Sequence, residues 1–327
     1  MSKIQVGIIG GAGYTGGELI RVLLNHPQVE IVSVQSQSNS HRFIYQVHRD
    51  LIGECELQFS ADVSPDIDVL FLCVAHSEAK KYLSEHTLNK QTKVIDLSQD
   101  FRLYPSATLG EERFVYGLPE LNRSRIQVAK YIANPGCFAT CIQLALLPLA
   151  KVQLLKKDIH INATTGSTGA GQAFSATSHF SWRSNNLSVY KAFEHQHLNE
   201  IAQSLSFLQN DFKQPINFIP QRGNFTRGIF ASIYMDCALD LEDVIGLYEA
   251  YYATHPFVTI SKDPIDLKQV VNTNKCLLHL EKHEGKLLIT SVIDNLLKGA
   301  SGQAVQNMNL LFGIEETTGL KLKANAF

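Results

Sequence analysis

Ile4-Gln5-Val6-Gly7-Ile8-Ile9-Gly10-Gly11-Ala12-Gly13-Tyr14-Thr15-Gly16-Gly17-Glu18 is the stretch on which the fold turns. It opens as an apolar run of strand length, passes through glycine, and continues into Glu18-Leu19-Ile20-Arg21-Val22-Leu23-Leu24, which has the apolar face of a helix. Strand, glycine turn and helix are the context that a dinucleotide fingerprint needs. Glycines 11, 13 and 16 fit G-x-G-x-x-G, and glycines 10, 13 and 16 fit the G-x-x-G-x-x-G variant equally well. In either reading the glycines allow a tight turn, close approach of the backbone to a pyrophosphate, and helix packing on strand. The pyrophosphate then sits on the helix N-terminus. A glycine turn that binds nothing is the alternative, and the flanking strand and helix weigh against it. Gly10, Gly11, Gly13, Tyr14, Thr15 and Gly16 are the expected cofactor contacts.

Outward from this stretch, Val29-Glu30-Ile31-Val32-Ser33-Val34 is a second strand. An NAD-specific fold carries Asp or Glu near its end, about 20 residues past the glycines, to hold the ribose 2′-hydroxyl. Here the chain reads Gln35-Ser36-Gln37-Ser38-Asn39-Ser40-His41-Arg42, with no acid, several hydroxyls and an arginine. That favours NADP(H), with Ser36 and Ser38 as contacts; an ordinary polar loop would leave the choice open. Further strands near residues 68, 93 and 129 complete a doubly wound parallel sheet. Ligands bind such sheets beyond the carboxyl ends of the strands. Asp96-Leu97-Ser98-Gln99-Asp100-Phe101-Arg102 lies at one such end, which makes Arg102 a candidate for binding an anion.

Ala133-Asn134-Pro135-Gly136-Cys137-Phe138-Ala139-Thr140-Cys141 lies at another. A short strand precedes it and a helical pattern follows, so Cys137 falls at a strand-to-helix corner. Unpaired N–H groups and the macrodipole at a helix N-terminus favour an anion, and a thiolate is one. The competing reading is a small buried core cysteine. Its position level with the glycine loop favours chemistry. From about Ile159 the pattern becomes α+β, with alternating strands at Ile229–Tyr234, Lys275–Leu280 and Leu287–Val292 and helices at Leu241–Tyr252 and Gln303–Phe312. Between them stand a glycine loop, Thr165-Gly166-Ser167-Thr168-Gly169-Ala170-Gly171, and the sequence Phe193-Glu194-His195-Gln196-His197-Leu198-Asn199-Glu200. Two histidines beside a candidate nucleophile point to acid/base work.

At 327 residues the chain has room for about two domains. A hydrophobic content of 45% and a charged content of 18% suit an ordinary globular core. A net charge of -2 offers no footprint for nucleic acid. The longest apolar runs fall short of a membrane span, and the N-terminus enters a strand with no room for a signal peptide. Six cysteines with no Cys-x-x-Cys pair indicate neither a disulfide scaffold nor a metal site. Together these imply a cytoplasmic protein with no metal.

With these residues in hand, the sequence resembles the N-acyl-γ-glutamyl-phosphate reductases within the aspartate-semialdehyde dehydrogenase group. The resemblance runs over almost the whole chain. It is carried by Gly10–Glu18, Asp96–Arg102, Tyr116–Glu120, Asn134–Thr140, Gly166–Gly171, His195–Glu200 and Asp294–Met308. Gln196 and Asn199 stand where the family usually has Arg and Pro, and Gln221-Arg222 where it commonly has His-Leu. The resemblance implies an NADP-binding Rossmann domain over 1–136, completed by a C-terminal helical segment over 300–327. It also implies a glyceraldehyde-3-phosphate-dehydrogenase-like α+β domain with a mainly antiparallel sheet over 137–299, and a homo-oligomer, dimer or tetramer. Cys137 becomes the nucleophile, and one of His195 and His197 the acid/base. Ser167, Gly169 and Asn295 join the cofactor contacts, and Arg102, Asn134, Arg183, Glu200 and Arg227 the substrate contacts. The implied reaction is NADPH-dependent reduction of an N-acyl-γ-glutamyl phosphate to the 5-semialdehyde through a thioester, in arginine biosynthesis. An aspartyl-phosphate enzyme and a catalytically silent NADP sensor are the rival readings. The pairing of His195 and His197, Tyr116–Glu120 and the intact Cys137 weigh against them.

Overall fold

The apolar runs of the first half lack a polar face, the pattern of strands covered on both sides. The computed structural model describes residues 2–325 and forms these runs into β1 (Ile4–Ile9), β2 (Val29–Gln35), β3 (Val69–Leu72) and β4 (Lys93–Asp96). β5 (Thr108–Leu109), β6 (Glu112–Tyr116) and β7 (Tyr131–Ala133) extend the sheet, whose order is β2-β1-β3-β4-β7-β6-β5. Every neighbouring pair is parallel except β5 with β6. The chain runs to one side of β1 and then to the other, which makes the carboxyl end of β1 the switch point where ligands bind. The helices of this part are α1 (Tyr14–Leu24), α2 (Glu78–Glu85) and α3 (Pro119–Gln127). Leu70, Leu72 and Val94 share one apolar cluster with Ala79 of α2, Phe101, Phe114 and Tyr131.

The chain divides into two compact units, Met1–Pro135 with Ala300–Lys321, and Gly136–Gly299 with Leu322–Phe327. The return of the C-terminus to the first unit centres on the helix Gly302–Leu311, which packs on α1, α3 and β4. It is held by polar contacts as well as apolar ones. Asn307 Nδ2 donates to the Gly117 carbonyl (2.8 Å) and to Asn134 Oδ1 (3.0 Å), and Asn134 Nδ2 donates to the Ala300 carbonyl (3.0 Å). The return covers less than the expected 300–327. From Leu322 the tail groups with the second unit, where Asn272 Nδ2 donates to Asn325 Oδ1 (2.9 Å) and Asn325 N–H to the Val271 carbonyl (3.3 Å).

The second unit begins with α4 (Cys137–Lys151), in which every residue from Phe138 to Ala150 is buried. Its sheet comprises β8 (Ile159–Thr165), β9 (Ser188–Val189), β10 (Ile216–Arg222), β11 (Ile229–Asp236), β12 (Val258–Ser261), β13 (Cys276–His283) and β14 (Lys286–Ile293). The order is β12-β13-β14-β11-β8-β10-β9, antiparallel apart from β8 with β10 and β12 with β13. The strands alternate, and α4 covers their buried face with α6 (His197–Leu208) and α7 (Leu241–Tyr252) beside it. A four-residue helix, α5 (Phe180–Arg183), lies between β8 and β9. Pro148 inside α4 has no N–H to give the Leu144 carbonyl. The Tyr252 hydroxyl of α7 donates to that carbonyl instead, and Tyr248 donates to the next, Ala145.

Asn307 gives the first test of this frame. Asn307→Leu keeps the volume but leaves the Gly117 carbonyl and Asn134 Oδ1 without their buried donor. The expected loss is about 2–4 kcal/mol of unfolding free energy, measured by urea denaturation. A change within ~0.5 kcal/mol, typical of an indifferent surface site, would contradict the clasp.

Candidate active site

In the first unit the glycine turn separates into positions with different jobs. Gly10 has φ +76°, and a Cβ there would lie 2.3 Å from the Cys73 carbonyl oxygen, so only glycine makes this turn. A Cβ on Gly16 would lie 2.6 Å from the Gly10 carbonyl oxygen, which is the close packing of helix on loop. Gly13 caps α1, and the nearest atom to a Cβ placed there is 3.7 Å away, so its open side can take a ligand. The set 10, 13 and 16 therefore fills the three fingerprint places, and Gly11 packs on Val34 instead. No side chain caps the first turn of α1, which leaves the N–H groups of Tyr14, Thr15 and Gly16 directed as a pyrophosphate needs. The residues present fit a dinucleotide.

The loop after β2 is tied by its own amides. Asn39 Nδ2 donates to Ser36 Oγ and Ser38 Oγ (3.2 Å each), and Arg42 donates to Asn39 Oδ1 (2.9 Å). Asp96, the last residue of β4, is wholly buried and accepts from Ser98 N–H (2.9 Å) and Ser98 Oγ (2.8 Å). Burial pushes its pKa up to about 7, against the pull of those bonds and of Arg102. Arg102 itself donates to the carbonyls of Asn134 and Leu97, 2.9 Å each. Arg102 and Asn134 are thus buried braces at the carboxyl ends of β4 and β7, with these groups committed to the protein.

In the second unit Cys137 is the first residue of α4 and is half-buried. Cys73, by contrast, is buried and its thiol is pushed up to about 12, and burial also raises the thiol of Cys141. Two glycines flank the Cys137 backbone. A Cβ on Gly136 would lie 2.3 Å from His197 Nε2, and a Cβ on Gly299 would lie 2.8 Å from Cys137 Cβ. Gly136 N–H donates to Glu200 Oε2 (3.0 Å), whose other oxygen lies 3.9 Å from His197 Nε2.

His195 and His197 are both buried, with ring centroids 4.6 Å apart, and both meet the edge or face of Phe138. His197 N–H donates to His195 Nδ1 (3.2 Å). Nδ1 is therefore the acceptor, and in the neutral ring the proton sits on Nε2. Burial, helped by Lys191, lowers the pKa of His195 to about 4, so near neutral pH it is an uncharged imidazole with one N–H to offer.

The remaining expected contacts divide. Arg227 pairs with Asp294 (3.0 Å), a wholly buried carboxylate that also accepts from the N–H groups of Asn272, Leu296 and Leu297. Asn295 bridges Gly228 N–H (2.7 Å) and Thr168 Oγ1 (3.0 Å), and Ser167 N–H donates to the Phe225 carbonyl (2.9 Å). With Gly169 beside Thr165 they tie the glycine loop to 225–228. Arg183 donates through Nη1 to the Arg222 carbonyl (2.7 Å). Two side chains near this cluster are absent from the expected set. Tyr190 meets His195 edge-on at 5.8 Å, and the Arg222 guanidinium lies over the Tyr190 ring at 4.7 Å. Tyr190 sits in an irregular polar stretch with no motif signal, and Arg222, at the end of β10, is marked only by its departure from the family's usual His-Leu pair.

The family models of the semialdehyde dehydrogenase NAD-binding domain and dimerisation domain match residues 5–129 and 137–295. The chain belongs to the semialdehyde dehydrogenase family. Its relatives include N-acetyl-gamma-glutamyl-phosphate reductases of Bacteroides fragilis, 60% identical, and Flavobacterium johnsoniae, 57% identical. Each alignment covers 99% of this chain and 100% of the relative. The solved aspartate semialdehyde dehydrogenase II of Vibrio cholerae shares the fold, with a TM-score of 0.72 at 16% identity over 95% of this chain and 99% of that one. As a semialdehyde dehydrogenase the chain is an oxidoreductase with a dinucleotide-binding domain and an oligomerising one. Among the described residues no helix is long and apolar enough to cross a membrane, and no cluster of His, Cys, Asp and Glu is arranged to hold a metal ion.

The neutrality of His195 has a stability signature. Its unfolded imidazole takes a proton near 6.5 and the folded one only near 4, so between these values the unfolded state binds more protons. Stability therefore rises with pH across that window, by up to ~1.4 kcal/mol per pH unit. Urea melts of wild type and His195→Asn from about pH 4.5 to about pH 7 should show a shallower slope for the variant. Equal slopes would mean that His195 does not resist protonation.

Proposed function

We propose that this enzyme catalyses the NADPH-dependent reduction of N-acetyl-γ-glutamyl phosphate to N-acetylglutamate 5-semialdehyde and phosphate, the step that turns a phosphate-activated carboxyl group into an aldehyde. The observation that carries the reading is the half-buried Cys137 at the head of α4, set between Gly136 and Gly299 with the His197 ring on one side. The names of its relatives point to the same substrate.

A carboxylate resists hydride, so phosphate activation and a covalent intermediate split the task into two easier steps. The Cys137 thiolate, stabilised by the N–H groups at the start of α4, attacks the acyl carbon. The C–O bond to phosphate breaks, phosphate leaves with the electron pair, and a thioester remains on Cys137. The Gly10–Gly16 turn, with Ser36 and Ser38, would hold NADPH, which when bound would supply the hydride for reduction of the thioester. The resulting thiohemiacetal collapses, its C–S bond breaks, and the aldehyde is released as the thiolate returns. His195, a neutral Nε2–H donor, suits the stabilisation of the developing oxyanion. His197, with Glu200 3.9 Å from Nε2, suits the handling of the proton. We read the assembly as a homo-oligomer, a dimer or a tetramer, built through the second unit, in keeping with the dimerisation family model. That none of the six cysteines forms a disulfide suits the reducing cytoplasm.

Assayed in reverse, the purified enzyme should reduce NADP only when both N-acetylglutamate 5-semialdehyde and phosphate are present. Turnover without phosphate would exclude the acyl-phosphate reaction. Cys137→Ser should fold and lose turnover to background, because a serine hydroxyl is far less ionised than a thiol. His197→Asn should mainly lower kcat, by ~10²–10⁴. NADPH should be preferred over NADH by at least about tenfold in kcat/KM, ~1.4 kcal/mol. Ser36→Asp should narrow that margin by repelling the 2′-phosphate, and equal use of both cofactors by the wild type would refute the assignment.

A further inference from the structure

Two guanidinium groups in the second unit, Arg183 and Arg222, have no carboxylate within ion-pair distance among the described residues. They lie close enough that the charge of Arg222 adds to burial in lowering the pKa of Arg183. Uncompensated cations in partly buried positions cost free energy, and folded proteins seldom keep them without a partner. The pair differs in what is left to bind. Arg183 donates through Nη1 to the Arg222 carbonyl (2.7 Å) and through Nε and Nη2 to the Thr177 carbonyl (3.4 and 3.3 Å), with Trp182 under its plane at 4.7 Å. Arg222 lies over Tyr190 at 4.7 Å, and its Nε is buried with no hydrogen-bond partner.

Arg222 is also placed for a substrate. Tyr190 links it to His195, whose ring it meets at 5.8 Å, and Tyr190 is close enough to Cys137 to feel its charge. In a glutamyl phosphate the reacting carbon and the α-carboxylate are a few bonds apart, so the group that grips a carboxylate must stand near the nucleophile without touching it. Resting on the function proposed above, we propose that Arg222 is a specificity-determining residue whose guanidinium binds a carboxylate of the N-acylglutamyl substrate, with Arg183 as the second positive charge behind it. The planar fork of Arg matches a carboxylate bidentately, which Lys cannot reproduce. The carboxylate has two sources, the α-carboxylate of the glutamyl moiety or an acid group ending the N-acyl chain.

The test uses the holoenzyme in the reverse direction, with phosphate, NADP and either N-acetyl- or N-succinylglutamate 5-semialdehyde. Arg222→Gln should raise KM by about tenfold or more with kcat changed far less, and Arg222→Lys should recover only part of the loss. A rise with both substrates identifies the α-carboxylate; a rise with the succinyl substrate alone identifies the acyl carboxylate. Unchanged KM values, or a fall in kcat alone, overturn the proposal. Calorimetric titration with N-acetyl- and N-succinylglutamate separates this outcome from failure of the underlying reading. Should the wild type turn over neither semialdehyde, weaker binding of either compound by Arg222→Gln still supports the carboxylate site. Equal binding by wild type and variant, including none by either, overturns it.

Discussion

Two buried carboxylates fix the backbone on either side of Cys137, and the rest of the site depends on them. Upstream, Glu200 accepts the Gly136 N–H at 3.0 Å and so ties the start of α4 to α6. Downstream, Asp294 accepts from Leu296 and Leu297 N–H and shapes the turn that carries Gly299 against the Cys137 Cβ. A buried carboxylate is tolerated only when its charge and lone pairs are matched. Asp294 meets that condition through Arg227 and three backbone donors. The arginine that sequence reasoning offers to a substrate is, in the folded chain, the counter-ion of a structural acid.

The same logic separates what was legible in the sequence from what was not. The glycine turn could be read because Gly10 and Gly16 answer close approaches, such as the 2.3 Å between a Gly10 Cβ and the Cys73 carbonyl, while Gly13 leaves the helix start open. The Cys137 corner could be read because Pro135 and Gly136 mark it locally. β10 could not, since Pro220 interrupts the run and its partners β8 and β9 supply the pairing that its own composition does not advertise. β6, with Glu112 and Arg113 at its start, was hidden for a similar reason. The two competing fingerprints could be separated only by knowing what each glycine packs against.

Charged residues were the least legible, because their partners are remote in sequence. Arg227 and Asp294 are 67 residues apart, and Arg102 reaches a carbonyl 32 residues away. A sequence shows that an arginine is present and leaves open whether its donors are already used. In Arg102, Arg183 and Arg227 most of the donors described are used within the protein, and Arg222 retains a buried one without a partner.

The histidines complete the argument about how one cluster divides its work. A backbone N–H donated to His195 Nδ1 sets the tautomer, and burial among Phe138, Phe218 and Tyr190 keeps the ring uncharged. Such a ring is a fixed dipole, able to donate at Nε2 with no proton to lose or gain near neutral pH. His197 is also buried, but its Nε2 lies 3.9 Å from the Glu200 carboxylate and against Gly136. Two buried imidazoles two residues apart thus meet different neighbours, a carboxylate for one and mainly aromatic rings for the other. Glu200 serves both the Gly136 backbone and this contrast, so the group that positions the nucleophile also distinguishes the two histidines beside it.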